Sequence, residues 1–526
     1  MSFLVLSRLR QISLISHLSL PSRIPGTFRS GRKPFSMFTV VKDLNSHHIR
    51  YGYGDPPAFS QMEARLFSSK SEAADIMTAL ELGYKDQTKN SASFGKNLTR
   101  YELASRICEE FPHYSAKDQK FFVLNLAKRF GVDNNNVRLA AKSLTQHMDG
   151  ETFLKMVEKF KEAAVPVSQE IFKDIGKRPG GVKFLVDLRG FVLDLIDTEK
   201  DTENLTALRF LSNSLRDLLG LWFSGGMMNL ERVTWNSSCE ILEKVSQYEA
   251  VHPVRHWTDI KHRVGPYRRC FIFMHSCMPL EPVVVLHSAL MEQIGSNVQQ
   301  ILRQNYTGEI EDPDKIRAAV FYSVSSTQKG LRGIDLGMYL IRRAVSELRH
   351  EYPDIVEFST LSPIPTFAAW LLTKMRTVNS NTPVPGLMTK EEWESLSSVA
   401  AGQDYMEFLK TTLTSNWYED EVLRSALRPF LERMCLTYLT QEKRRGFAFD
   451  SVANFHLGNG AEIWRLNWLA DTSGKGLSQS FGMMVNFRYP ADEELIENSN
   501  NYIFNKHIKV SPGIQERLDQ YNLSPL

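Results

Sequence analysis

A serine and a histidine stand out in this sequence as side chains that could do chemistry. Ser362 opens the segment Ser-Pro-Ile-Pro, and His456 lies between a phenylalanine and a leucine. A hydroxyl can hold a carbonyl or carboxylate oxygen, and an imidazole ordinarily titrates near working pH and can give or take a proton. On the residues alone, structural explanations are the more common ones. Ser362 could cap a helix near Phe367–Lys374, and His456 could be a core histidine with satisfied hydrogen bonds.

A glycine-bearing loop is the second feature with chemical potential. Gln328–Gly333 (QKGLRG) follows a predicted strand and opens a predicted helix. The first amides of a helix have no internal partners and carry partial positive charge, so they suit an anion. Gly330 and Gly333 permit a tight turn and close backbone approach, and Lys329 and Arg332 add charge suited to a diphosphate. The loop is neither a Walker loop nor a dinucleotide fingerprint, so by itself it indicates only a generic anion site.

These candidates lie in the second of two regions with different patterns. From about Gln61 to Leu221, apolar residues recur at spacings of three and four, which is typical of helices. Breakers such as Pro179-Gly180-Gly181 interrupt the pattern. The first region is therefore predicted to be an all-α helical bundle. It shows no charged or nucleophilic constellation, which favours a scaffolding or oligomerisation role.

From about Leu230 the pattern changes to short aromatic and β-branched runs, which are typical of strands. A predicted helix, Ile334–Glu351, lies between the third and fourth runs, and Pro353 marks its end. This order predicts an α/β domain with a mixed sheet, so the chain as a whole is predicted to be α+β. The predicted strands are Cys270–Ser276, Pro282–Leu290, Ala318–Ser325, Asp354–Leu361, Ala461–Asp471 and Phe481–Tyr489, of which the first two form a hairpin.

Composition excludes several classes of protein. The chain has 526 residues, 42% of them hydrophobic and 23% charged, which is typical of a globular protein of several domains. No apolar run reaches the roughly 18 residues of a membrane-spanning helix. Outside the first 42 residues the chain is mildly acidic, so no nucleic-acid footprint is evident. The five cysteines form no C-x-x-C pair, which argues against a structural zinc site and a disulfide framework.

The two ends of the chain carry possible targeting signals. Residues 1–42 contain seven basic residues, no acid and many serines, a pattern typical of a mitochondrial transit peptide. The chain ends in Ser524-Pro525-Leu526, which partly matches the Ser-Lys-Leu peroxisomal signal, with proline in place of the basic residue. A mitochondrial location is therefore predicted, and a peroxisomal or cytosolic pool is left open.

Longer motifs make the functional prediction more specific. FYSVSSTQKGLRGIDLGMYLIRR (321–343), FSTLSPIPTFAAWL (358–371) and SVANFHLGNGAEIWRLNWLAD (451–471) resemble the malonyl-CoA decarboxylase family. The resemblance implies a helical bundle followed by an acetyltransferase-like catalytic domain, conversion of malonyl-CoA to acetyl-CoA and carbon dioxide, and a homo-tetramer. With it, the predicted domains are a transit peptide over 1–42, an oligomerising helical bundle over 60–222 and the catalytic domain over 223–526.

The resemblance also implies which residues form the site. The catalytic serine and histidine of the family fall on Ser362 and His456. Asp335 stands where the family commonly has glutamate, which leaves its chemical role open, and Thr366 stands where glycine is common. No metal and no cofactor are implied, because coenzyme A is part of the substrate and the thioester carbonyl is the electron sink. The implied malonyl-CoA-binding residues are Arg332, Gly333, Ile334, Asp335, Leu336, Gly337 and Met338, together with Ser362 and His456.

Several roles and functions remain open at this stage. Ser362 would hold the malonyl group through its carbonyl or carboxylate, and His456 would donate a proton to the enolate carbon or orient Ser362. An acyl-serine is conceivable but not required. The alternative functions are an acyl-CoA-dependent N-acetyltransferase and a non-catalytic acyl-CoA sensor. Lys244 is a weak candidate, and five basic residues either meet the 3′-phosphate of coenzyme A or are solvated surface charge: Arg268, Arg269, Lys443, Arg444 and Arg445.

Overall fold

The N-terminal part of the described chain is entirely helical. The computed structural model describes residues 72–85, 93–146, 150–334, 336–377, 387–400 and 405–523. The predicted transit peptide and the C-terminal tripeptide lie outside these residues. The helices of this region are α1 Glu72–Tyr84, α2 Ser93–Glu110, α3 Ala116–Arg129, α4 Asn134–Gln146, α5 Gly150–Ala163, α6 Val167–Gly176, α7 Gly181–Thr198 and α8 Thr202–Trp222.

The helices follow from local signals in the sequence. Ser115 and Asp201 cap α3 and α8 by accepting a hydrogen bond from a backbone amide in the first turn. Apolar residues at helical spacing, such as Leu211, Leu215 and Leu218 of α8, are buried in a common core. Helices α4 and α5 differ, because none of their described side chains is buried.

A mixed sheet follows the helical region, so the predicted α+β fold class is confirmed. Its strands are β1 Met228–Val233, β2 Arg268–His275, β3 Val284–Met291, β4 Ala318–Ser326, β5 Glu357–Thr360, β6 Ser362–Pro363, β9 Glu462–Asn467 and β10 Met484–Tyr489, with β7 Lys443–Arg444 and β8 Phe447–Ala448 as a separate pair. Within the described residues, the strand order is β1-β2-β3-β4-β5-β10-β6, with β9 paired to β10, and only the β4–β5 pair is parallel. Strands β2 and β3 form the predicted hairpin.

Helices cover the sheet and connect its strands. Buried side chains from these helices and from the sheet form one large core that includes Phe358 and Phe487. The helices are α9 Cys239–Tyr248, α10 Trp257–Arg263, α11 Val298–Arg303, α12 Gly337–Glu351, α13 Phe367–Thr377, α14 Lys390–Ala400, α15 Tyr405–Leu413, α16 Glu421–Thr440, α17 Ser451–Gly458, α18 Gly474–Ser480, α19 Asp492–Asn505 and α20 Pro512–Gln520. None of the helices in this part of the chain has the length and apolarity needed to cross a membrane.

Several predicted boundaries are wrong. The strand predicted over Ala461–Asp471 ends at Asn467, and the strand predicted over Phe481–Tyr489 begins at Met484. The helix predicted from Ile334 begins at Gly337, because the residues before it are used in a short 3-10 turn over Lys329–Leu331 and a positive-φ glycine, Gly333. The strand predicted from Asp354 begins at Glu357. The edge strand β1 was not predicted at all. Its alternation is weak, since the outward residues are not consistently polar.

The helical region supports the glycine loop directly. A Cβ atom placed on Gly330 would lie 1.8 Å from the backbone oxygen of Val186 in α7. Arg189, also in α7, donates a hydrogen bond from its guanidinium to the backbone oxygen of Gly330. The loop therefore needs a glycine at position 330 because it touches the backbone of a helix from the other region, a contact that no local sequence pattern shows.

Replacing Gly330 should be destabilising for this reason. In Gly330→Ala the added methyl group collides with backbone that cannot move aside like a flexible side chain. We expect a loss of about 1–3 kcal/mol in the free energy of unfolding, measured by chemical denaturation. Gly226→Ala is the matched control, because a Cβ there has no neighbour within 4 Å. Equal stability of the two variants would contradict the proposed contact.

Candidate functional site

Ser362 is the first residue of β6, two residues after the end of β5. Its backbone pairs with Val485 of β10, and its side chain is 6% exposed. Its hydroxyl donates a hydrogen bond to Oγ1 of Thr360 at 2.8 Å. Because helix α13 begins only at Phe367, Ser362 does not cap this helix. The structural explanation considered for Ser362 is therefore wrong.

His456 approaches Ser362 from helix α17. Asp450 starts this helix by accepting hydrogen bonds from two backbone amides of its first turn. The imidazole is 4% exposed and stacks on the ring of Phe487 in β10, with centroids 4.7 Å apart. Its Nε2 is 3.2 Å from Oγ of Ser362. The fold thus brings together two residues that the sequence singled out separately.

Tyr489 completes the arrangement on the other side of the imidazole. Its hydroxyl is 2.7 Å from Nδ1 of His456, and its side chain is buried at the end of β10. Ser362 uses its own hydrogen toward Thr360, so it accepts from His456, and Nε2 carries the proton of a neutral ring. Nδ1 then accepts from the hydroxyl of Tyr489. The hydrogen-bond network in this way assigns the tautomer of the imidazole.

Burial determines the charge of this site. Removal from water lowers the pKa of His456 to about 3 and raises the pKa of Tyr489, because the charged form of each group loses hydration. The expectation that this imidazole titrates near working pH is therefore wrong for the protein without substrate. At neutral pH the site contains a neutral imidazole, with one nitrogen that donates and one that accepts.

The predicted coenzyme A segment lies before and at the start of helix α12. Arg332 and Gly333 are exposed, Ile334 is half-buried and Leu336 is buried. Gly333 has a φ of 78°, a left-handed conformation that favours glycine. Leu336 precedes the helix without a side-chain hydrogen bond to its first turn, which contains no acidic residue. Asp335 lies outside the described residues, and Gly337 and Met338 form the first turn of the helix.

Lys329 does not extend into the loop as a free charge. Its ammonium group forms an ion pair with the carboxylate of Asp194 in α7. Gln328 is buried, and its side-chain amide donates to the backbone oxygen of Pro282. Among the described residues of the loop, Arg332 is thus the cation left in position to meet an anion.

The other basic candidates have different environments. Arg269 is 1% exposed, and its guanidinium lies 2.7 Å from Glu311 and 2.6 Å from Glu351. Arg268 is also buried and donates to the backbone oxygen of Ile301 at 2.6 Å. Both proposed roles, phosphate binding and solvated surface charge, are therefore wrong for these two arginines. They hold β2 to its neighbours.

The remaining basic candidates lie on elements other than those that carry Ser362 and His456. Lys244 forms ion pairs with Glu281 at 2.6 Å and Glu240 at 3.3 Å. Lys443 and Arg444 belong to the small β7–β8 pair, and Arg445 follows with a positive φ. For Arg444 and Arg445, contact with the 3′-phosphate of coenzyme A and solvated surface charge both stay predictions.

The sequence did not indicate Thr360 and Tyr489. Tyr489 is on the same face of β10 as Val485 and Phe487, as strand alternation predicts. Nothing in the sequence indicates that α17 packs on this face, and that packing is what turns Tyr489 toward His456. Within the described ranges, no group of three or more His, Cys, Asp or Glu side chains is arranged to hold a metal ion.

Comparison with known proteins gives this arrangement a family. The model described as the malonyl-CoA decarboxylase C-terminal domain matches residues 226–524. The model described as the malonyl-CoA decarboxylase N-terminal domain matches residues 130–223. Together the two models cover both the sheet and most of the helical region.

Curated relatives and solved structures agree with the domain models. A Mus musculus protein named mitochondrial malonyl-CoA decarboxylase is 44% identical over 403 residues, 75% of this chain and 81% of that protein. A protein of the same name from Anser anser anser is 42% identical over 407 residues, 75% of this chain and 79% of that protein. Crystal structures of malonyl-CoA decarboxylases from Rhodopseudomonas palustris and Agrobacterium vitis superpose with a TM-score of 0.71, at 28% and 29% identity. Each covers 84% of this chain and 99% of the other.

This fold and these relatives define an enzyme of the carboxy-lyase class. The chain belongs to the malonyl-CoA decarboxylase family.

The low pKa of His456 predicts a pH-dependent stability. The unfolded imidazole takes up a proton below about pH 6.5, whereas the folded one stays neutral to about pH 3. The contribution of this ring to the free energy of unfolding is therefore present in full above about pH 6.5 and decreases as the pH falls toward 3. Between pH 7 and 5 we expect this ring to account for a loss of about 2 kcal/mol in the free energy of unfolding.

Chemical denaturation at the two pH values measures this loss. His456→Gln should lose less stability between pH 7 and 5 than the wild type does. His350→Gln, at an exposed position of α12, should keep the wild-type pH dependence. A His456→Gln variant with an unchanged pH dependence would show that the imidazole is not held neutral.

Proposed function

We propose that this protein converts malonyl-CoA to acetyl-CoA and carbon dioxide, with Ser362 holding the malonyl group and His456 donating the proton. The observation that carries the proposal is the 3.2 Å contact between the buried Ser362 hydroxyl and Nε2 of His456, in a chain of the malonyl-CoA decarboxylase family. Family membership supports the reaction, and the geometry supports the assignment of roles.

The proposed chemistry balances without a cofactor beyond the coenzyme A of the substrate. The bond between the carboxylate carbon and the α-carbon breaks, and its electron pair moves into the thioester, which becomes an enolate while carbon dioxide leaves. The α-carbon then takes one proton to give acetyl-CoA. A hydrogen-bond donor at the developing oxyanion stabilises the transition state more than the ground state. Ser362 would donate to the thioester carbonyl or to the carboxylate by turning its one hydroxyl hydrogen from Thr360 to the bound substrate, while its oxygen still accepts from His456.

The neutral state of His456 agrees with its role as proton donor. The enolate carbon is a stronger base than the imidazolate nitrogen that a neutral N–H leaves behind, so the neutral ring can protonate it. The ring then regains its proton from water before the next turnover. In the assigned tautomer this hydrogen is on Nε2, the nitrogen that faces Ser362. A binding substrate also brings negative charge toward the imidazole, which favours the protonated ring. Both effects support a proton delivered from Nε2.

Tyr489 is proposed to keep His456 in the productive tautomer. Its hydroxyl donates to Nδ1, which leaves the ring hydrogen on Nε2. Tyr489→Phe keeps the aromatic ring but removes this donor. It should lower kcat while the KM for malonyl-CoA stays unchanged, since coenzyme A is held elsewhere. A variant with wild-type kcat would exclude this role.

Coenzyme A is proposed to bind at Arg332–Met338, with the backbone amides at the start of α12 meeting its phosphates. Arg332 supplies an exposed positive charge, and Gly333 supplies the left-handed backbone conformation that the loop needs. The first turn of the helix has no acidic residue. These features support the assignment of Arg332, Gly333, Ile334, Asp335, Leu336, Gly337 and Met338 as substrate-binding residues.

Assembly through the helical region is also proposed. The proposed domains are the helical bundle over 60–222 and the catalytic domain over 223–526. The α4–α5 hairpin has apolar residues at helical spacing but no buried side chain, with Leu139 and Leu154 each 64% exposed. This apolar stripe supports a homo-oligomer, proposed to be a tetramer. Analytical ultracentrifugation of the full chain tests this, because a monomer at micromolar concentration would exclude it.

A mitochondrial location is proposed from residues 1–42. The relatives from mouse and goose are named mitochondrial, and the segment has the composition of a transit peptide. Import of a reporter fused to these residues tests the proposal. Masking Leu526 tests for a peroxisomal pool.

Supplying malonyl-CoA without an acyl acceptor separates the proposed function from its alternatives. The decarboxylase should release carbon dioxide and acetyl-CoA, whereas an N-acetyltransferase or a non-catalytic sensor should not. Ser362→Ala and His456→Ala should each lower kcat by roughly 100-fold or more, because each removes a donor that acts in the transition state. Near-normal turnover by either variant would contradict its assigned role.

The coenzyme A segment has a separate test. Arg332→Glu should raise the KM for malonyl-CoA by roughly tenfold or more, with a much smaller change in kcat, because it places a negative charge beside the phosphates. Arg343→Glu makes the same charge change at an exposed position of α12 and should leave KM near the wild-type value. If the two variants have the same KM, Arg332 does not belong to the binding segment.

A further inference from the structure

A second polar chain connects the segment of Ser362 to the helix of His456. Thr366, four residues after Ser362, has its Oγ1 2.6 Å from the hydroxyl of Tyr438 in α16. The Tyr438 hydroxyl donates to Oδ2 of Asp450 at 3.1 Å. Asp450 is the residue that caps α17, and α17 carries His456. We call Thr366, Tyr438 and Asp450 the hydroxyl bridge.

The directions of the hydrogen bonds in the bridge are fixed by its chemistry. Tyr438 has a single hydroxyl hydrogen, and the carboxylate of Asp450 accepts it. Thr366 therefore donates to the oxygen of Tyr438. The other oxygen of Asp450 accepts the amides of Val452 and Ala453 at 3.0 and 2.8 Å. A donor and an acceptor can therefore be named for every hydrogen bond between Thr366 and the first turn of α17.

Water is excluded from most of the bridge. Tyr438 is fully buried and Asp450 is 1% exposed. The rings of Phe367 and Trp370 lie 5.6 and 5.2 Å from the ring of Tyr438. Burial raises the pKa of Tyr438 and of Asp450, because each ionised form loses hydration. Buried hydrogen bonds of this kind are costly to break, so they hold the joined segments in one geometry.

We propose that Thr366, Tyr438 and Asp450 are positioning residues that set the distance between Ser362 and His456. Ser362 and His456 are joined by their own contact and through β10, which pairs with Ser362 and carries Tyr489. The bridge is a further tie between the same two segments, made by other residues. A displacement of about 1 Å between reacting groups can cost a factor of about 100 in rate. The proposal rests on the proposed function, because it concerns how the Ser362–His456 pair is held for that reaction.

The hydroxyl of Thr366 is the part of the bridge that can be removed with least disturbance. Thr366 is exposed, and valine has nearly the same shape, so Thr366→Val should fold. We expect kcat for malonyl-CoA to fall by roughly tenfold, with KM unchanged because the coenzyme A segment is on other elements. Thr366→Ser restores the hydroxyl and should restore kcat.

Thr373→Val is the matched control. It removes a threonine hydroxyl from an exposed position of α13, where the hydroxyl donates to the backbone oxygen of Ala369 within its own helix. It should leave both kcat and KM at wild-type values. A fall in kcat equal to that of Thr366→Val would mean that any lost hydroxyl in this segment is damaging, and would overturn the proposal.

A double-mutant cycle tests whether the bridge acts as one unit. Tyr438→Phe breaks both links, so adding Thr366→Val to it should lower kcat no further. Independent, multiplying effects would overturn the proposal, as would a wild-type kcat in Thr366→Val or a failure of Thr366→Ser to restore it. Absence of decarboxylation by the wild-type protein would instead overturn the proposed function.

Discussion

Exclusion of water from the contact between Ser362 and His456 is the constraint on which the site depends. The imidazole is enclosed by Phe487, Ser362 and Tyr489, and burial keeps it neutral with a fixed tautomer. An exposed imidazole would exchange its partners with solvent and would carry charge for part of the time at neutral pH. The sheet supplies the serine and the stacking ring, and a short capped helix supplies the histidine. The surrounding core holds these parts together.

The sequence predicted the elements of this site better than their relations. The fold class, the β2–β3 hairpin and the helix after the glycine loop follow from periodicity and breakers, which are local properties. The contact of Ser362 with His456, the role of Tyr489 and the burial of Arg268 and Arg269 depend on which faces pack together. Those facts are set by contacts between residues that are distant in sequence. The neutral state of His456 also depends on packing, because only the folded environment removes water from the imidazole.

The glycine loop illustrates how a correct feature can have an unexpected cause. Gly330 and Lys329 looked like parts of an anion site, and both instead face helix α7. Gly333 and Arg332 are the residues whose conformation and exposure suit a phosphate. The helical region is therefore part of the support of the loop as well as a separate bundle. The backbone of α7 defines where the loop can lie. Because the loop leads directly into α12, it also influences where that helix starts.

The close approach of Gly330 to Val186 has a consequence for the history of this protein. Where two regions meet through backbone atoms, as they do at Gly330, a change on one side needs a matching change on the other, because backbone cannot give way as a flexible side chain can. A recombined chain that joined this sheet domain to an unrelated helical domain would carry a loop with no surface to rest on. The two regions should therefore be inherited as a pair.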